Sequence, residues 1–425
     1  MRQYRIFGGK RLSGELHIDG SKNASLPILS AACLNKSETI IHNCPRIADT
    51  FATIEILESI GFYSEFNENT LILRPPTELS HDIPDKLAKK MRSSILFMGA
   101  LLARNGCVNL ALPGGCSIGE RAIDMHVRGL KEMGAEIETE DEKLFCKTAP
   151  GGLRGTTIRL ELPSVGATEN LLIAAVVAHG DTVIENAARE PEISDLALFL
   201  KNLGAKIRGA GTGTITISGT GGKAFNRPIS HKVIPDRIVA GTYLVAAAIT
   251  AGDVRLTGVR PFDLAPFTSY LSEMGCTLRA DYDTVTLRAP ERLRAFPRII
   301  TRVHPGFPTD MQAQFVAALC ISKGGSLVTE TIFEGRTAHV RELRKMGAKI
   351  NLTADKQSFD MYGVARLRGA NVTAHDLRCG AALVLAGLVA EGETIVQNAE
   401  LVERGYANIE KDLTMLGADI RLEII

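Results

Sequence analysis

The pentapeptide LKNLG (200–204) is one of six copies of the pattern Leu-x-x-[Ile/Met/Leu]-Gly in this chain. The successive repeat glycines lie 73, 70, 71, 72 and 70 residues apart. Near-constant spacing over the whole length indicates repeated supersecondary units, so the sequence predicts six of them. The other copies are LESIG (57–61), LKEMG (130–134), LSEMG (271–275), LRKMG (343–347) and LTMLG (413–417).

The surroundings of the six copies are also alike. A helix of small apolar residues, such as ENLLIAAVVAHG (169–180), precedes a β-branched strand such as DTVIENA (181–187). An amphipathic helix with one apolar stripe then leads to the glycine, which suits a left-handed helix cap. We predict an α/β fold with two domains of three units, buried helices inside and sheets outside. The midpoint, KAFNRPISHKVIPDR (223–237), contains two prolines and is the candidate hinge.

The composition limits the class of protein. The 425 residues are 45% hydrophobic and 23% charged, with a net charge of +1 and no tryptophan. Near-neutral charge and few aromatic residues argue against nucleic-acid or membrane partners. The apolar stretch 238–252 is too short to span a bilayer, and the N-terminus lacks a signal-peptide pattern. The eight cysteines form no C-x-x-C pair, so we expect a reduced, cytoplasmic protein without a zinc site or disulfide framework.

Charged residues recur at corresponding places in the units. The apolar helices are expected to begin with Lys22-Asn23, Arg92, Glu169-Asn170, Asp236-Arg237, Asp310 and Arg378. The loops before the second helices carry Arg46, Arg121, Arg189, Arg260, Arg336 and Arg404. For any one of these residues, helix capping or a solvated loop charge is as good an explanation as a functional role. That explanation is weaker for a cation at a helix start, because its charge opposes the helix macrodipole. Several cations near helix N-termini form anion sites, so we expect a substrate with phosphate or carboxylate groups.

Two glycine-rich stretches lead to different expectations. GAGTGTITISG (209–219) lacks G-x-G-x-x-G spacing and runs into alternating Thr and Ile, which favours a β-hairpin over a dinucleotide site. In ALPGGCSIGER (111–121), paired glycines let the loop bend beside Cys116, and Arg121 favours its thiolate. On residue type alone, a buried and inert thiol is the alternative for Cys116.

Six motifs resemble those of the UDP-N-acetylglucosamine 1-carboxyvinyltransferases, a family of enolpyruvyl transferases. They are DGSKNASLPIL (19–29), LPGGCSIGER (112–121), PSVGATEN (163–170), NAAREPEI (186–193), GFPTDMQAQF (306–315) and DLRCGAALVLAG (376–387). The resemblance covers the full chain. It implies a two-domain inside-out α/β barrel, with one domain formed by 1–21 plus 232–425 and the other by 22–231. It also implies transfer of the enolpyruvyl group of phosphoenolpyruvate to the 3-hydroxyl of UDP-N-acetylglucosamine, with release of phosphate and no metal or cofactor.

The resemblance further implies roles for individual residues. Cys116 matches a catalytic cysteine on a mobile loop, and Asp310 matches a carboxylate at the sugar 3-hydroxyl. The cations that match phosphoenolpyruvate-binding or other active-site positions are Lys22, Arg92, Arg121, Arg378 and Arg404. The positions that match UDP-N-acetylglucosamine contacts are Asn23, Arg121, Ala122, Ile123, Asp124, Met125, Ser164, Val165, Gly166 and Ile332. One departure is Leu162, where some members carry a lysine on the uridine side.

Two other functions stay open at this point. A sibling enolpyruvyl transferase acts on shikimate 3-phosphate, but it typically shows S-K-S where this chain has SKN (21–23), and it lacks the loop cysteine. A non-catalytic UDP-sugar-binding paralogue would have lost a catalytic group, whereas Cys116 and Asp310 are both present. Proton transfer could be divided between these two residues, with Glu190 as a third candidate. Because the implied site residues come from both halves, we also expect substrate to close the domains.

Overall fold

The computed structural model describes residues 2–114, 123–354 and 357–424. Its α-helices are α1 (Lys22–Ala31), α2 (Ala48–Ser59), α3 (Asp85–Ala88), α4 (Leu96–Asn105), α5 (Asp124–Glu132), α6 (Val165–Ala175), α7 (Pro191–Leu203), α8 (Arg237–Ile249), α9 (Pro261–Glu273), α10 (Gln312–Leu319), α11 (Ala338–Lys345), α12 (Leu377–Val389), α13 (Ala399–Val402) and α14 (Ile409–Met415). Short 3-10 helices span Ala32–Leu34, Arg92–Ile95 and Thr309–Met311.

The strands are short and follow or precede these helices in a regular order. They are β1 (Arg2–Phe7), β2 (Ser13–His17), β3 (Thr39–His42), β4 (Tyr63–Asn67), β5 (Thr70–Arg74), β6 (Cys107–Ala111), β7 (Ala135–Glu140), β8 (Lys143–Thr148), β9 (Thr157–Arg159), β10 (Asp181–Glu185), β11 (Lys206–Arg208), β12 (Thr214–Ser218), β13 (Ile229–Lys232), β14 (Asp253–Thr257), β15 (Thr277–Ala280), β16 (Thr284–Arg288), β17 (Arg298–Ile300), β18 (Gly325–Thr329), β19 (Lys349–Leu352), β20 (Ser358–Tyr362), β21 (Leu367–Arg368), β22 (Asn371–Thr373), β23 (Ala390–Glu391), β24 (Glu393–Gln397) and β25 (Asp419–Ile424).

Each sequence repeat corresponds to one sheet. The sheet orders are β13-β3-β5-β4, β6-β8-β7, β9-β10-β12-β11, β2-β14-β16-β15, β17-β18-β20-β19 and β22-β24-β1-β25, and β21 pairs separately with β23. In each four-stranded sheet the first pair is parallel and the other two pairs are antiparallel. This shared order confirms the α/β repeat that the glycine spacing predicts.

Three sheets contain a strand from a distant part of the sequence. Strand β2 precedes α1 but pairs with β14, whereas β13 precedes α8 but pairs with β3. Strand β1 lies between β24 and β25, with Tyr4 opposite Val396 on one side and Leu422 on the other. The glycine spacing does not reveal these pairings because it reports local structure only.

The described residues form two compact units. Unit 1 comprises 2–19, 235–354 and 357–424, and unit 2 comprises 20–114 and 123–234. Helices α8, α10 and α12 contact one another in unit 1, as α1, α4 and α6 do in unit 2. Their side chains are almost all buried, which confirms the predicted inner helices. The candidate hinge, 223–237, contains β13 and belongs to unit 2 as far as residue 234.

Three local predictions are confirmed, those for the repeat glycines, the 209–219 hairpin and the 238–252 helix. All six repeat glycines have positive φ, from 90° at Gly347 to 117° at Gly204. The stretch 209–219 lies in an antiparallel hairpin of β11 and β12. The apolar stretch 238–252 contains the buried helix α8. Within the part of the chain that the structure describes, no helix combines the length and hydropathy needed to cross a membrane.

The left-handed glycine caps give a stability prediction at Gly347. A Cβ added there would have no atom within 4 Å, so only the backbone conformation opposes a side chain. We expect Gly347→Ala to lower the free energy of unfolding by about 1–2 kcal/mol. Gly347→Asn is the control, because asparagine adopts this conformation more readily and should cost less. Thermal unfolding of both variants tests this, and an unchanged midpoint for Gly347→Ala would contradict it.

Candidate active site

In unit 1, Asp310 lies between two arginines. Its Oδ2 accepts a hydrogen bond from Arg378 Nη2 at 2.9 Å, and its Oδ1 accepts one from Arg336 Nη1 at 2.8 Å. Both arginine side chains are buried. Burial alone would raise the pKa of the Asp310 carboxyl, but the two guanidinium groups outweigh it and hold the pKa well below its usual range. Asp310 is therefore an ionised hydrogen-bond acceptor and a weak base.

The start of α12 places Arg378 at this site. Asp376 caps the helix, and its Oδ1 accepts hydrogen bonds from the backbone N–H groups of Arg378 and Cys379 at 2.8 and 2.9 Å. The carboxylate thus compensates for a cation at a helix start, where the helix dipole is unfavourable. This cap fixes the backbone from which the Arg378 side chain reaches Asp310.

A fully buried carboxylate, Glu330, supports the segments around Asp310. Its Oε2 accepts a hydrogen bond from Thr309 Oγ1 at 2.9 Å. Its Oε1 accepts from the backbone N–H of Ile332 at 2.8 Å and from Thr301 Oγ1 at 2.9 Å. Arg336 Nη1 also donates to Thr309 Oγ1 at 2.8 Å. One network therefore holds Asp310 and Ile332, two residues that the resemblance assigns to substrate binding.

In unit 2, Lys22 is the first residue of α1 and pairs with Asp49. The distance from Lys22 Nζ to Asp49 Oδ2 is 2.7 Å, and both side chains are largely buried. Ser21 caps α1 by accepting a hydrogen bond from the Ala24 backbone N–H at 3.3 Å. Asp49 lies in the first turn of α2, so the cation is held between two helix starts. Asn23 follows Lys22 in the same first turn.

The other predicted contacts of unit 2 lie at or near helix starts. Arg92 begins a 3-10 helix. Ile123 occupies the position before α5 without a capping hydrogen bond from its side chain, and Asp124 and Met125 lie in the first turn of α5. Ser164 caps α6 by accepting from the Ala167 backbone N–H at 3.3 Å, and Val165 and Gly166 follow in its first turn. Leu162, at the departure from the family pattern, is 66% exposed.

The expected start of the third inner helix is wrong. Glu169 and Asn170 lie in the second turn of α6, because Ser164 caps the helix five residues before Glu169. Burial, followed by the charges of Glu192 and Glu190, raises the pKa of Glu169 well above its usual value. This shift favours the protonated form of Glu169, near the carboxyl groups of Glu190 and Glu192 in the REPE segment (189–192).

The structure brings some predicted residues together and leaves others untested. Asp310 contacts Arg378, whereas Lys22 contacts Asp49, which the sequence did not single out. Arg404 lies half-buried between α13 and α14. Cys116, Arg121 and Ala122 lie outside the described residues. Among the described residues, no group of three or more His, Cys, Asp or Glu side chains could hold a metal ion.

Sequence reasoning missed the partners of the predicted residues. Arg336 was one of the recurrent loop arginines, and its position before α11 was the only signal that it belonged to this site. Asp49 and Glu330 had no signal, since neither belongs to a motif. Asp49 balances the charge of Lys22, and Glu330 orients neighbouring segments through hydrogen bonds. Neither role requires a fixed spacing along the sequence.

Comparison with known proteins identifies the family. The sequence model of EPSP synthase (3-phosphoshikimate 1-carboxyvinyltransferase) matches residues 6–413. The chain belongs to this family of enolpyruvyl transferases.

Solved structures agree with the assignment. The enolpyruvyl transferase NikO from Streptomyces tendae superposes with a TM-score of 0.89 at 26% identity, over 99% of this chain and 98% of that one. EPSP synthase from Acinetobacter baumannii has a TM-score of 0.73 at 18% identity over all of both chains, which supports the fold alone.

Curated relatives are similar over nearly the whole length of the enolpyruvyl transferase chain. UDP-N-acetylglucosamine 1-carboxyvinyltransferase 2 of Caldanaerobacter subterraneus subsp. tengcongensis is 48% identical over 99% of both chains. UDP-N-acetylglucosamine 1-carboxyvinyltransferase 1 of Symbiobacterium thermophilum is 47% identical over 98% of this chain and 94% of its own. The enzyme of the same name from Trichlorobacter lovleyi is 46% identical over 98% of both chains.

Proposed function

We propose that the chain is a UDP-N-acetylglucosamine 1-carboxyvinyltransferase. It transfers the enolpyruvyl group of phosphoenolpyruvate to the 3-hydroxyl of UDP-N-acetylglucosamine and releases phosphate, the first committed step of peptidoglycan synthesis. The observation that carries this proposal is the 46–48% identity, over nearly the full length, to three enzymes of that name. The free thiols of the seven described cysteines support the cytoplasm as its compartment.

The reaction requires three proton transfers and a site for anions. Phosphoenolpyruvate accepts a proton at its methylene carbon, and the neighbouring carbon becomes cationic. The sugar 3-hydroxyl oxygen bonds to that carbon and loses its proton. The adduct then loses phosphate together with a proton of the new methyl group, which restores the double bond. Cations stabilise the phosphate and carboxylate through these steps, and we assign this role to Lys22, Arg121 and Arg404.

Asp310 suits the second step although it is a weak base. A hydroxyl that bonds to a cationic carbon becomes strongly acidic as the C–O bond forms, so even a carboxylate of low pKa can accept its proton at that stage. Before that stage, the ionised Asp310 orients the hydroxyl as a hydrogen-bond acceptor. Its placement by Arg378 and Arg336 supports this role, and Cys116 is the candidate for proton transfer at the methylene carbon.

A phosphate-release assay tests the proposed function against its alternatives. Release that requires both phosphoenolpyruvate and UDP-N-acetylglucosamine is the expected result. Release with shikimate 3-phosphate in place of the sugar nucleotide would instead identify the sibling activity. Binding of UDP-N-acetylglucosamine without any release would identify a non-catalytic paralogue.

Single-site alkylation is a prediction for Cys116. A small anionic epoxide that mimics phosphoenolpyruvate, such as fosfomycin, should modify this thiol, and faster with UDP-N-acetylglucosamine bound. Burial raises the pKa to about 12 at six other cysteines, so their reactive thiolates are scarce: Cys33, Cys44, Cys146, Cys276, Cys320 and Cys379. Half-buried Cys107 is the internal control. Intact-mass and peptide mass spectrometry should find one adduct on Cys116; adducts elsewhere would overturn the assignment.

The variant Cys116→Asp provides the companion measurement. A carboxyl group can still donate a proton but does not form the thioether. We expect this variant to keep part of its turnover and to continue working in the presence of the epoxide. Inhibition equal to that of the unaltered enzyme would mean that the epoxide acts at another residue.

A further inference from the structure

Asn170 is fully buried in α6, and its side-chain amide joins two other segments of unit 2. Its Oδ1 accepts a hydrogen bond from the Gly99 backbone N–H at 2.8 Å. Its Nδ2 donates to the Ile95 carbonyl at 3.0 Å and lies 3.0 Å from His126 Nδ1. A Cβ at Gly99 would lie 2.2 Å from Oδ1, so glycine is required for this approach.

These contacts permit one orientation of the Asn170 amide. The Gly99 N–H needs an acceptor, and the Ile95 carbonyl needs a donor, so oxygen and nitrogen cannot be exchanged. The NH2 group therefore faces His126 Nδ1, and its second hydrogen points to that nitrogen. His126 Nδ1 must then be the acceptor, which leaves the imidazole hydrogen on Nε2.

The surroundings of His126 agree with a neutral ring. The residue is 8% exposed. Burial, followed by the charge of Arg92, lowers the pKa of His126 to about 4, although Asp124 opposes the shift. An ideal Cβ at Gly166 would lie 3.4 Å from Nε2, so this nitrogen lies against the first turn of α6. Within the part of the chain that the structure describes, no residue accepts a hydrogen bond from Nε2.

We propose that Asn170 is a positioning residue that holds His126 as the Nε2–H tautomer, so that this hydrogen supplements the N–H donors at the start of α6. The same amide fixes the Arg92–Ile95 turn through Ile95 and thereby the backbone of Arg92. The ligand of these donors is an anionic oxygen of UDP-N-acetylglucosamine, a point that rests on the proposed function. The tautomer itself does not depend on it.

Asn170→Asp is the decisive variant. A carboxylate keeps the size of the side chain and still accepts from Gly99, but it cannot donate to His126 Nδ1. His126 should then carry a hydrogen on Nδ1, either as the other tautomer or as the cation. The affinity for UDP-N-acetylglucosamine should fall by about 10- to 100-fold, as expected for a hydrogen bond to a charged group.

Asn35 provides a matched control. It is also fully buried in unit 2, and its Nδ2 donates hydrogen bonds to Thr39 Oγ1 and to the Arg227 carbonyl. Asn35 follows the C-terminal end of α1, whereas Lys22 lies at the start of that helix. Asn35→Asp should destabilise the protein without changing the affinity or the tautomer. Equal affinity losses in the two variants would reduce Asn170 to a purely structural role and overturn the proposal.

Nitrogen-15 NMR of the histidine rings gives the direct measurement. The His126 signal is assigned by its absence from His126→Gln. Protonated Nε2 and unprotonated Nδ1 in the unaltered protein support the proposal, and the reverse overturns it even if Asn170→Asp does not fold. This measurement needs no ligand. A failure of the proposed function would appear separately, as a protein with the expected tautomer that neither binds UDP-N-acetylglucosamine nor releases phosphate.

Discussion

Asp310→Asn is expected to lower turnover by about 10²–10⁴-fold, the range typical of a group that accepts a proton in the rate-determining step. The amide keeps the shape of the side chain but removes its charge and its basicity. The affinity for UDP-N-acetylglucosamine should fall much less than turnover, because the amide oxygen can still accept a hydrogen bond from the hydroxyl. Single-turnover kinetics with both substrates separates the two effects.

The same substitution should also destabilise the protein. The resemblance implies only that Asp310 lies at the substrate, and on that basis it predicts an almost unchanged melting temperature. The structure places the carboxylate between the buried Arg336 and Arg378, which would lose the negative charge that lies between them. Breaking a buried ion pair costs about 3–5 kcal/mol, an upper bound here because Asp310 is partly exposed. We therefore expect a lower melting temperature as well as a loss of turnover.

Glu342→Gln is the control that separates these two losses. Glu342 is buried in α11 of unit 1, where its Oε2 pairs with Lys345 Nζ at 2.7 Å and accepts from the Thr373 backbone N–H at 2.9 Å. Its replacement should lower the melting temperature and leave turnover near the unaltered value. A loss of turnover in Glu342→Gln as large as that in Asp310→Asn would show that instability, and not lost chemistry, explains both.

The sequence predicts the parts of this fold that depend on local patterns. Gly204 and Gly347 end helices that their own repeats encode, so spacing alone locates them. The insertion of β1 between β24 and β25 depends on pairings across nearly the whole chain, and no local pattern records it. The predicted start of α6 is wrong for a related reason. The apolar run suggests a helix from Glu169, whereas the hydroxyl of Ser164 decides where the helix begins.

In the candidate site, too, local sequence patterns do not reveal contacts between residues that are distant in the chain. The resemblance points to Lys22, Asp310 and Arg378 because those residues belong to motifs. Their partners Asp49 and Arg336 are found only when the chain is folded, since an ion pair requires proximity in space and no fixed separation along the sequence. The partners decide the chemistry nevertheless, because Arg336 helps to make Asp310 a weak base.

Replacing Lys22 with methionine is expected to lower kcat/KM for phosphoenolpyruvate by about 10²–10³-fold, as for loss of one group that stabilises developing negative charge. Methionine keeps much of the length and apolar contact of the lysine stem. The variant also leaves Asp49 buried without the ammonium group that lies 2.7 Å away. A fall in activity could therefore reflect either the lost cation or a disturbed α1 and α2.

The double variant Lys22→Met/Asp49→Asn separates these explanations. It removes both charges of the buried pair, and replacing a buried pair by neutral groups is often neutral for stability. We expect its melting temperature to return close to that of the unaltered protein while kcat/KM stays as low as in Lys22→Met. Lys22→Arg, which keeps a cation, should retain more activity than either. If the double variant recovered activity together with stability, Lys22 would serve only to neutralise Asp49, and its assignment to phosphoenolpyruvate would be wrong.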